Sequence, residues 1–265
     1  MTPFSVTTKD GATIAAFRGG RAGGPAMLLI HSLAMSASFW DRVVPLLADR
    51  FELITLDCRG HGASTRSPGP YDVRGFADDA AAVLDAAGID RALVAGCSMG
   101  GCVALAFAIA HPGRTRALGL IDTTAWYGAD APAAWRQRGE QGVRQGLASL
   151  VAFQTTRWFS DDFRADHPDI VQAMVELFVA NDPHCYAASC DMLGAADLRA
   201  GLAGLAMPAA VIVGAEDYAT PVAMAEALAA GIPGATIEII EAGRHLTPVQ
   251  CPDRIAAFLA ELSGR

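Results

Sequence analysis

Short apolar runs alternate with segments of helical periodicity along most of this chain. Runs such as 27–30 and 209–213 are typical of strands that are buried on both faces of a parallel sheet. Segments such as 73–87 place their apolar residues at the spacing of an amphipathic helix. A regular alternation of strand and helix predicts the α/β class, with a mostly parallel sheet and helices on both faces.

The predicted elements form eight strands and several helices. The first two strands flank Lys9-Asp10-Gly11, a turn signal that predicts a hairpin. The predicted strands are 5–8, 13–17, 27–30, 51–56, 92–95, 117–121, 209–213 and 236–240. The predicted helices are about ten residues from Ser38, then 73–87, 99–110, 133–153, 168–180, 183–193, 222–230 and 253–262.

The alternation breaks at Asp122. From 124 to 200 no buried strand is evident, and the segment contains only helical patterns. The α/β pattern resumes afterwards. We therefore expect one core domain made of 1–123 and 201–265, with a helical cap, 124–200, inserted into it.

Composition narrows the possible partners. The chain is 52% hydrophobic and 18% charged, which excludes disorder, and no apolar run is long enough to span a bilayer. A net charge of −8 argues against nucleic acid or an anionic membrane as a partner. The first ten residues lack a secretory pattern, so we expect a soluble cytoplasmic protein whose partner is a small molecule. The oligomeric state is left open, a homo-oligomer included.

The candidate chemistry centres on Gly96-Cys97-Ser98-Met99-Gly100. A strand precedes this Gly-x-Ser-x-Gly pattern and an alanine-rich helix follows it, which is the arrangement of a nucleophile elbow. The glycines relieve crowding where a strand reverses into a helix. The pattern predicts that Ser98 stands exposed at the turn as a nucleophile.

A serine hydroxyl needs a base and an acid to become a nucleophile. His245 follows the last predicted strand, and Asp217 follows the strand before it, so both lie at the sheet edge where the elbow is expected. The chain order Ser98, Asp217, His245 predicts a catalytic triad. Glu216 and Asp122 remain alternative acids, because each also follows a strand.

The oxyanion of such a reaction needs backbone donors. We expect them to be the amides of Met99, after the nucleophile, and Leu33, in the loop after strand 27–30. His31 is expected to order that loop rather than to act as a base. Asp57, Arg59 and His61 form a polar loop that we interpret as structural.

The remaining candidates are cysteines and histidines outside these loops. Six cysteines form no Cys-x-x-Cys pair and no metal-binding spacing, so they are interpreted as small buried hydrophobes, Cys97 included. His111, His167 and His184 are expected at the surface or at helix ends. No metal or cofactor is predicted.

With these motifs the chain resembles the α/β-hydrolase fold family over nearly its whole length. Ser32-Leu33, the run from Ser67 to Tyr71 and Trp135-x-x-Arg138 make it most similar to the 3-oxoadipate enol-lactonases of aromatic catabolism. The resemblance implies that the insertion is a cap over the active site and that Trp135 and Arg138 contact substrate. One difference is His31, where those lactonases usually have Asn and general esterases have His.

Trp135 and Arg138 also have a physical reason to act together. They are three residues apart on a predicted helix, so they share a face and offer an apolar wall and a guanidinium to one ligand. We therefore expect a serine hydrolase that opens a lactone bearing a free carboxylate. A carboxylesterase, a C–C bond hydrolase and a non-catalytic ligand-binding protein of the same fold remain alternatives, as does a structural role for this pair.

Overall fold

An eight-stranded sheet forms the centre of the molecule in the computed structural model, which describes residues 1–265. The strands are β1 (Thr2–Thr7), β2 (Thr13–Gly20), β3 (Ala26–Ile30), β4 (Glu52–Leu56), β5 (Ala92–Cys97), β6 (Thr115–Ile121), β7 (Ala209–Gly214) and β8 (Thr236–Ile240). Their order in the sheet is β1-β2-β4-β3-β5-β6-β7-β8. β1 and β2 form the predicted hairpin, β2 pairs antiparallel with β4, and all pairs from β4 to β8 are parallel. The predicted eight-stranded, mostly parallel sheet is confirmed.

Eleven α-helices accompany the sheet, and five of them fall between β6 and β7. They are α1 (Val44–Leu47), α2 (Val73–Ala86), α3 (Met99–Ala110), α4 (Ala131–Gln145), α5 (Val151–Trp158), α6 (Asp161–Asp166), α7 (Pro168–Val179), α8 (Pro183–Ala195), α9 (Val222–Gly231), α10 (Thr247–Gln250) and α11 (Pro252–Ser263). No helix combines the length and the apolar character needed to cross a bilayer.

The central strands are buried along their whole length. Every residue of β4, β5 and β7 is buried, whereas the edge strand β8 alternates between exposed and half-buried positions. Helices explain the burial, since α3 packs on β5 and β6, α9 on β7 and α11 on β6. Continuous apolar runs are therefore found where both faces of the sheet are covered.

Two predicted helices are wrong in length. The ten-residue helix from Ser38 is a 3₁₀ turn, Ala37–Trp40, followed by the short α1. Pro45 has no N–H and its ring would clash with the carbonyl four residues earlier, so a continuous helix cannot run through it. The helix predicted over 133–153 is interrupted at Gly146, whose φ of +76° ends α4.

The five helices between β6 and β7 occupy the predicted insertion. Within this group α4 packs on α8. The two helices approach so closely that a Cβ at Gly139 would lie only 3.0 Å from the Cα of Ala187. An isolated bridge pairs Trp126 with Asp197, which joins the two ends of the segment. We call α4 to α8 the cap helices; the domain boundaries at 124 and 200 remain predictions.

Candidate active site

Ser98 lies on a sharp turn between β5 and α3. Its φ of +55° is a strained conformation for a non-glycine residue. The flanking glycines are required by close approach: a Cβ at Gly96 would lie 2.1 Å from the carbonyl oxygen of Gly100, and one at Gly100 would lie 2.2 Å from that of Ile30. This is the backbone geometry expected of a nucleophile elbow.

A continuous chain of hydrogen bonds joins Ser98, His245 and Asp217. Ser98 Oγ and His245 Nε2 are 2.8 Å apart, and His245 Nδ1 is 2.8 Å from Asp217 Oδ2. With Nδ1 donating to the carboxylate, Nε2 is free to accept the serine proton. Ser98 is 5% exposed, so this proton transfer would take place in a site largely closed to bulk water.

Three further donors surround the carboxylate of Asp217. The amides of Ala219 and Thr220 donate to Oδ1 at 2.7 and 2.9 Å, and the Thr220 hydroxyl donates to Oδ2 at 2.8 Å. Burial alone would raise the pKa of Asp217, but the charge and hydrogen bond of His245 and the loop amides lower it below its usual range. Asp217 is therefore a carboxylate at neutral pH.

The two alternative acids bind elsewhere. Asp122 is fully buried below the histidine loop, where it accepts from the Gly214 amide at 3.1 Å and from the Thr247 amide and hydroxyl at 3.0 and 2.6 Å. Burial and the neighbouring charge of Asp217 raise its pKa well above the usual range. The carboxylate of Glu216 turns away to Arg244 at 3.2 Å. Neither forms a hydrogen bond with His245.

The loop after β3 carries Leu33, whose amide is one of the two predicted oxyanion donors. The Leu33 amide donates to no other group in the protein, and Met99 begins α3, where first-turn N–H groups lack intrahelical acceptors. His31 Nδ1 donates to the Ser32 carbonyl at 2.7 Å, and His31 Nε2 accepts from the Cys58 amide at 2.9 Å. Burial lowers the pKa of His31 to about 4, so the ring is neutral and holds the loop in place.

The polar loop after β4 faces internal partners. Asp57 accepts from the amides of Ala37 and Ala63 at 2.6 and 2.9 Å. Arg59 forms an ion pair with Asp79. These contacts have a structural role. Cys97, next to Ser98, is also buried, and burial and nearby carboxylates raise the pKa of its thiol well above its usual range.

Two cavities meet above Ser98. The inner cavity, about 50 Å³, is lined by Ser32, Leu33, Ser98, Gln154, Trp158 and His245 together with the shared wall described next. The outer cavity, about 590 Å³, opens toward solvent along α4 and α5. Five residues line both and so form the junction between them: Tyr127, Trp135, Arg138, Arg157 and Ala219. The predicted nucleophile is thus reached through a junction that contains two arginines.

The predicted pair Trp135 and Arg138 lies at this junction. The guanidinium carbon of Arg138 is 4.8 Å from the centre of the Trp135 ring, and Arg138 Nε donates to the hydroxyl of Tyr186 at 2.9 Å. No carboxylate forms an ion pair with Arg138. The cation is therefore held in place by an aromatic ring and a phenol while its charge remains available to a ligand.

Arg157 and Gln154, both on α5, were missed in the sequence. The guanidinium groups of Arg138 and Arg157 lie against the same ring, with their carbons 5.5 and 4.9 Å from the centre of Phe153. Burial and the positive charge of Arg138 lower the pKa of Arg157. Arg157 also has no carboxylate partner; one of its nitrogens donates to the Tyr218 carbonyl at 2.6 Å. A usable signal was present, since Gln154, Arg157 and Trp158 share one face once the helix is restarted after Gly146.

The end of α5 is hydrogen-bonded to the loop that carries His245. The His245 amide donates to the Arg157 carbonyl at 3.3 Å, and the Leu246 amide donates to the Trp158 carbonyl at 3.1 Å. Arg244 adds contacts from the same loop to the carbonyls of Thr156 and Phe159, each at 2.9 Å. The loop of the predicted base, His245, is therefore held to the cap helix α5 by several hydrogen bonds.

These residues bring together a candidate nucleophile, base and acid and two candidate oxyanion donors, which is the set that acyl transfer requires. No cluster of three or more His, Cys, Asp or Glu side chains is arranged to hold a metal ion.

Known proteins are similar to this chain in sequence and in fold. The family model of the α/β-hydrolase fold matches residues 25–249. The chain is 34% identical over 233 residues to 3-oxoadipate enol-lactonase 2 of Acinetobacter baylyi, covering 88% of this chain and 86% of the relative. These matches confirm the resemblance drawn from the motifs.

Solved structures agree. The enol-lactonase from Burkholderia xenovorans superimposes with a TM-score of 0.94 at 28% identity, covering 99% of this chain and 100% of its own. A thermophilic esterase from Thermogutta terrifontis with malate bound gives a TM-score of 0.91 at 27% identity, covering 98% of this chain and 97% of its own. The chain belongs to the α/β-hydrolase fold family.

Proposed function

We propose that this protein is a serine hydrolase that opens a carboxylate-bearing lactone through an acyl-enzyme on Ser98. The observation that carries the proposed chemistry is the hydrogen-bond chain from Ser98 through His245 to Asp217, with 2.8 Å at each step. A relative named 3-oxoadipate enol-lactonase, 34% identical to this chain, supports a lactone as the substrate.

The proposed reaction begins when His245 Nε2 takes the proton of Ser98 as Oγ attacks the lactone carbonyl. The negative charge that develops on the carbonyl oxygen is stabilised by the amides of Leu33 and Met99. The ring C–O bond then breaks and leaves the acyl group on Ser98. For an enol-lactone the departing oxygen is an enolate, which takes the proton held by His245 and becomes a ketone, so His245 is neutral again and ring opening is effectively irreversible.

The second half of the reaction uses water. His245 removes a proton from a water molecule, whose oxygen attacks the acyl-enzyme carbonyl, and the resulting tetrahedral intermediate is again held by the two amides. Its collapse releases the free acid and returns the proton to Ser98. Asp217 remains a carboxylate throughout, where it orients His245 and stabilises the imidazolium.

The carboxylate preference rests on Arg138. This arginine lies at the junction of the two cavities without a carboxylate partner, so an anionic group of the substrate would complete its pairing. Arg157 lines the same junction, and its guanidinium group lies against the same Phe153 ring as that of Arg138, so it adds positive charge there. The structural neighbour with bound malate, a dicarboxylate, also supports an anionic ligand.

The test combines a covalent label with three substrates. A fluorophosphonate probe is expected to label wild-type protein on Ser98 and to leave Ser98→Ala unlabelled. Hydrolysis is then compared for an enol-lactone with a free carboxylate, for its methyl ester and for simple aryl esters. We expect the free acid to have the highest kcat/KM.

The outcomes separate the proposals. Absence of labelling in folded protein would exclude the serine hydrolase and leave a ligand-binding protein. Labelling together with equal activity on all three substrates would exclude the carboxylate preference and identify a general carboxylesterase.

A further inference from the structure

The inner cavity limits what can lie beside Ser98. Its volume of about 50 Å³ is less than a tenth of that of the outer cavity, so only a small group fits next to the nucleophile. The outer cavity, about 590 Å³, is large enough for a bulky group. In an ester with a short acyl chain and an aromatic leaving group, the acyl chain must therefore occupy the inner cavity and the aromatic ring the outer one.

Gln154 is a polar side chain of the inner cavity that has no partner in the protein. Gln154 is 3% exposed, lines the cavity together with Ser98 and Leu33, and forms no hydrogen bond with another protein group. Its amide can both donate and accept. The amide atoms are not sealed from solvent, so they reach the space of the cavity and are available to a ligand there.

The neighbours of Gln154 do not offer such a partner. Trp158 lies one turn further along α5, and the ring of Trp158 packs on Phe178 with their centres 5.4 Å apart. Arg157 directs a nitrogen to the Tyr218 carbonyl, and His245 is already bonded to Ser98 and Asp217. Ser32 Oγ, Trp158 Nε1 and the terminal nitrogens of Arg138 also lack partners in the protein, but Gln154 supplies the only side-chain amide of the inner cavity, which can both donate to and accept from a substrate.

We propose that Gln154 is a specificity-determining residue that hydrogen-bonds an oxygen on the acyl part of the substrate, so that the enzyme selects short oxygen-bearing acyl groups over alkyl groups of equal size. This inference rests on the proposed hydrolase activity of Ser98. An alkyl acyl group would fill the same space but leave the Gln154 amide unpaired, and a site built to hydrogen-bond its substrate discriminates strongly against an analogue that lacks the group.

The experiment uses two matched pairs of 4-nitrophenyl esters. The methoxyacetate is compared with the butanoate, and the 4-oxopentanoate with the 4-methylpentanoate, so that within each pair an oxygen-bearing group replaces a hydrocarbon group of similar size. Each kcat/KM is divided by the rate of hydroxide hydrolysis of the same ester, which removes differences in intrinsic reactivity. The leaving group and its contacts with the outer cavity are the same throughout.

Wild-type enzyme is expected to prefer the oxygen-bearing member of at least one pair by about three- to tenfold, the range that one neutral hydrogen bond supplies. Gln154→Met keeps the length of the side chain and removes the amide, so the preference should disappear. Gln141→Met is the matched control, because Gln141 lines only the outer cavity; the preference should persist in it.

The proposal is overturned if wild-type enzyme shows no preference in either pair, or if Gln154→Met retains the wild-type ratio. Thermal unfolding of Gln154→Met identifies a variant that does not fold; Gln154→Leu is then measured in its place, with the same expected loss of preference. Failure of the proposed function looks different, since neither pair of esters would then be hydrolysed in a reaction that Ser98→Ala abolishes.

Discussion

The polar groups around Ser98 and those of the cap helices differ in how they are paired. Ser98, His245 and Asp217 lie on loops of the sheet and are hydrogen-bonded to one another. Arg138 and Gln154 lie on cap helices. Arg138 has no carboxylate partner, and the Gln154 side chain has no hydrogen-bonding partner in the protein. The sheet thus holds groups prepared for reaction in the absence of substrate, while the cap presents groups that a substrate must complete.

This difference has an energetic meaning. Groups that bind one another are stabilised before substrate arrives, and their geometry is preorganised for the transition state. An amide or a cation that faces a cavity without a partner gains one only on binding, so its contribution appears as selectivity. Substitutions in the two regions should therefore change different measured quantities.

The largest effect should come from the acid. Asp217→Asn replaces the carboxylate that orients His245, and kcat is expected to fall by about 10³- to 10⁴-fold. Asp122→Asn should lower the unfolding temperature instead, because the new amide cannot accept from both Gly214 and Thr247, and kcat of the folded protein should change by less than about tenfold. Steady-state kinetics and thermal unfolding of both variants give the comparison. A larger loss of kcat in Asp122→Asn would reverse the assignment.

A second test concerns His31, which is held neutral within the sheet domain. Its pKa is lowered to about 4 by burial, so unfolding in mild acid takes up a proton that the folded protein excludes. The stability that depends on neutral His31 is present above about pH 6.5 and is lost as the pH falls toward 4, by up to about 3 kcal/mol.

His31→Asn should therefore show a shallower fall in unfolding free energy between pH 7 and pH 4.5, measured by denaturant titration. Part of the fall should persist, because burial also lowers the pKa of His61 to about 3. An unchanged slope in His31→Asn would show that His31 does not titrate on unfolding.

The smallest effect is expected in the cap. Arg138→Ala should reduce kcat/KM for the free-acid lactone by about 1–3 kcal/mol in transition-state terms, as for loss of a charge-assisted hydrogen bond. The methyl ester should be little affected. Arg136→Ala is the control on the same helix, because Arg136 is 68% exposed in its side chain and lies outside both cavities. Equal losses on acid and methyl ester would mean that Arg138 shapes the cavity and does not recognise charge.

Much of the sheet and of its loops could be predicted from sequence because short-range patterns determine them. A buried parallel strand has to be apolar on both faces, and an elbow has to place small residues at fixed offsets from Ser98. The loops that carry Asp217 and His245 follow strands directly, so the strand prediction also located them. Their geometry then agreed with the predicted order.

The cap could be predicted less well. Its helices are marked by weaker periodicity, and the interruption at Gly146 was overlooked because an isolated glycine is tolerated inside helices. The missed boundary concealed α5 and with it Gln154 and Arg157. No local pattern distinguishes an arginine that faces a cavity from one that faces solvent. Arg138 was therefore identified through the resemblance, and the position of Arg157 became apparent only from the packing of α5 on the histidine loop.

The hydrogen bonds between α5 and the histidine loop restrict which substitutions this enzyme tolerates in α5. A substitution that displaces α5 also pulls on the backbone of His245 and Leu246, so it alters turnover along with selectivity. Helix α4 has no comparable bond to that loop and packs on α8. For directed evolution toward new substrates, α4 therefore offers the wider range of tolerated substitutions, and libraries on α5 should yield fewer active variants.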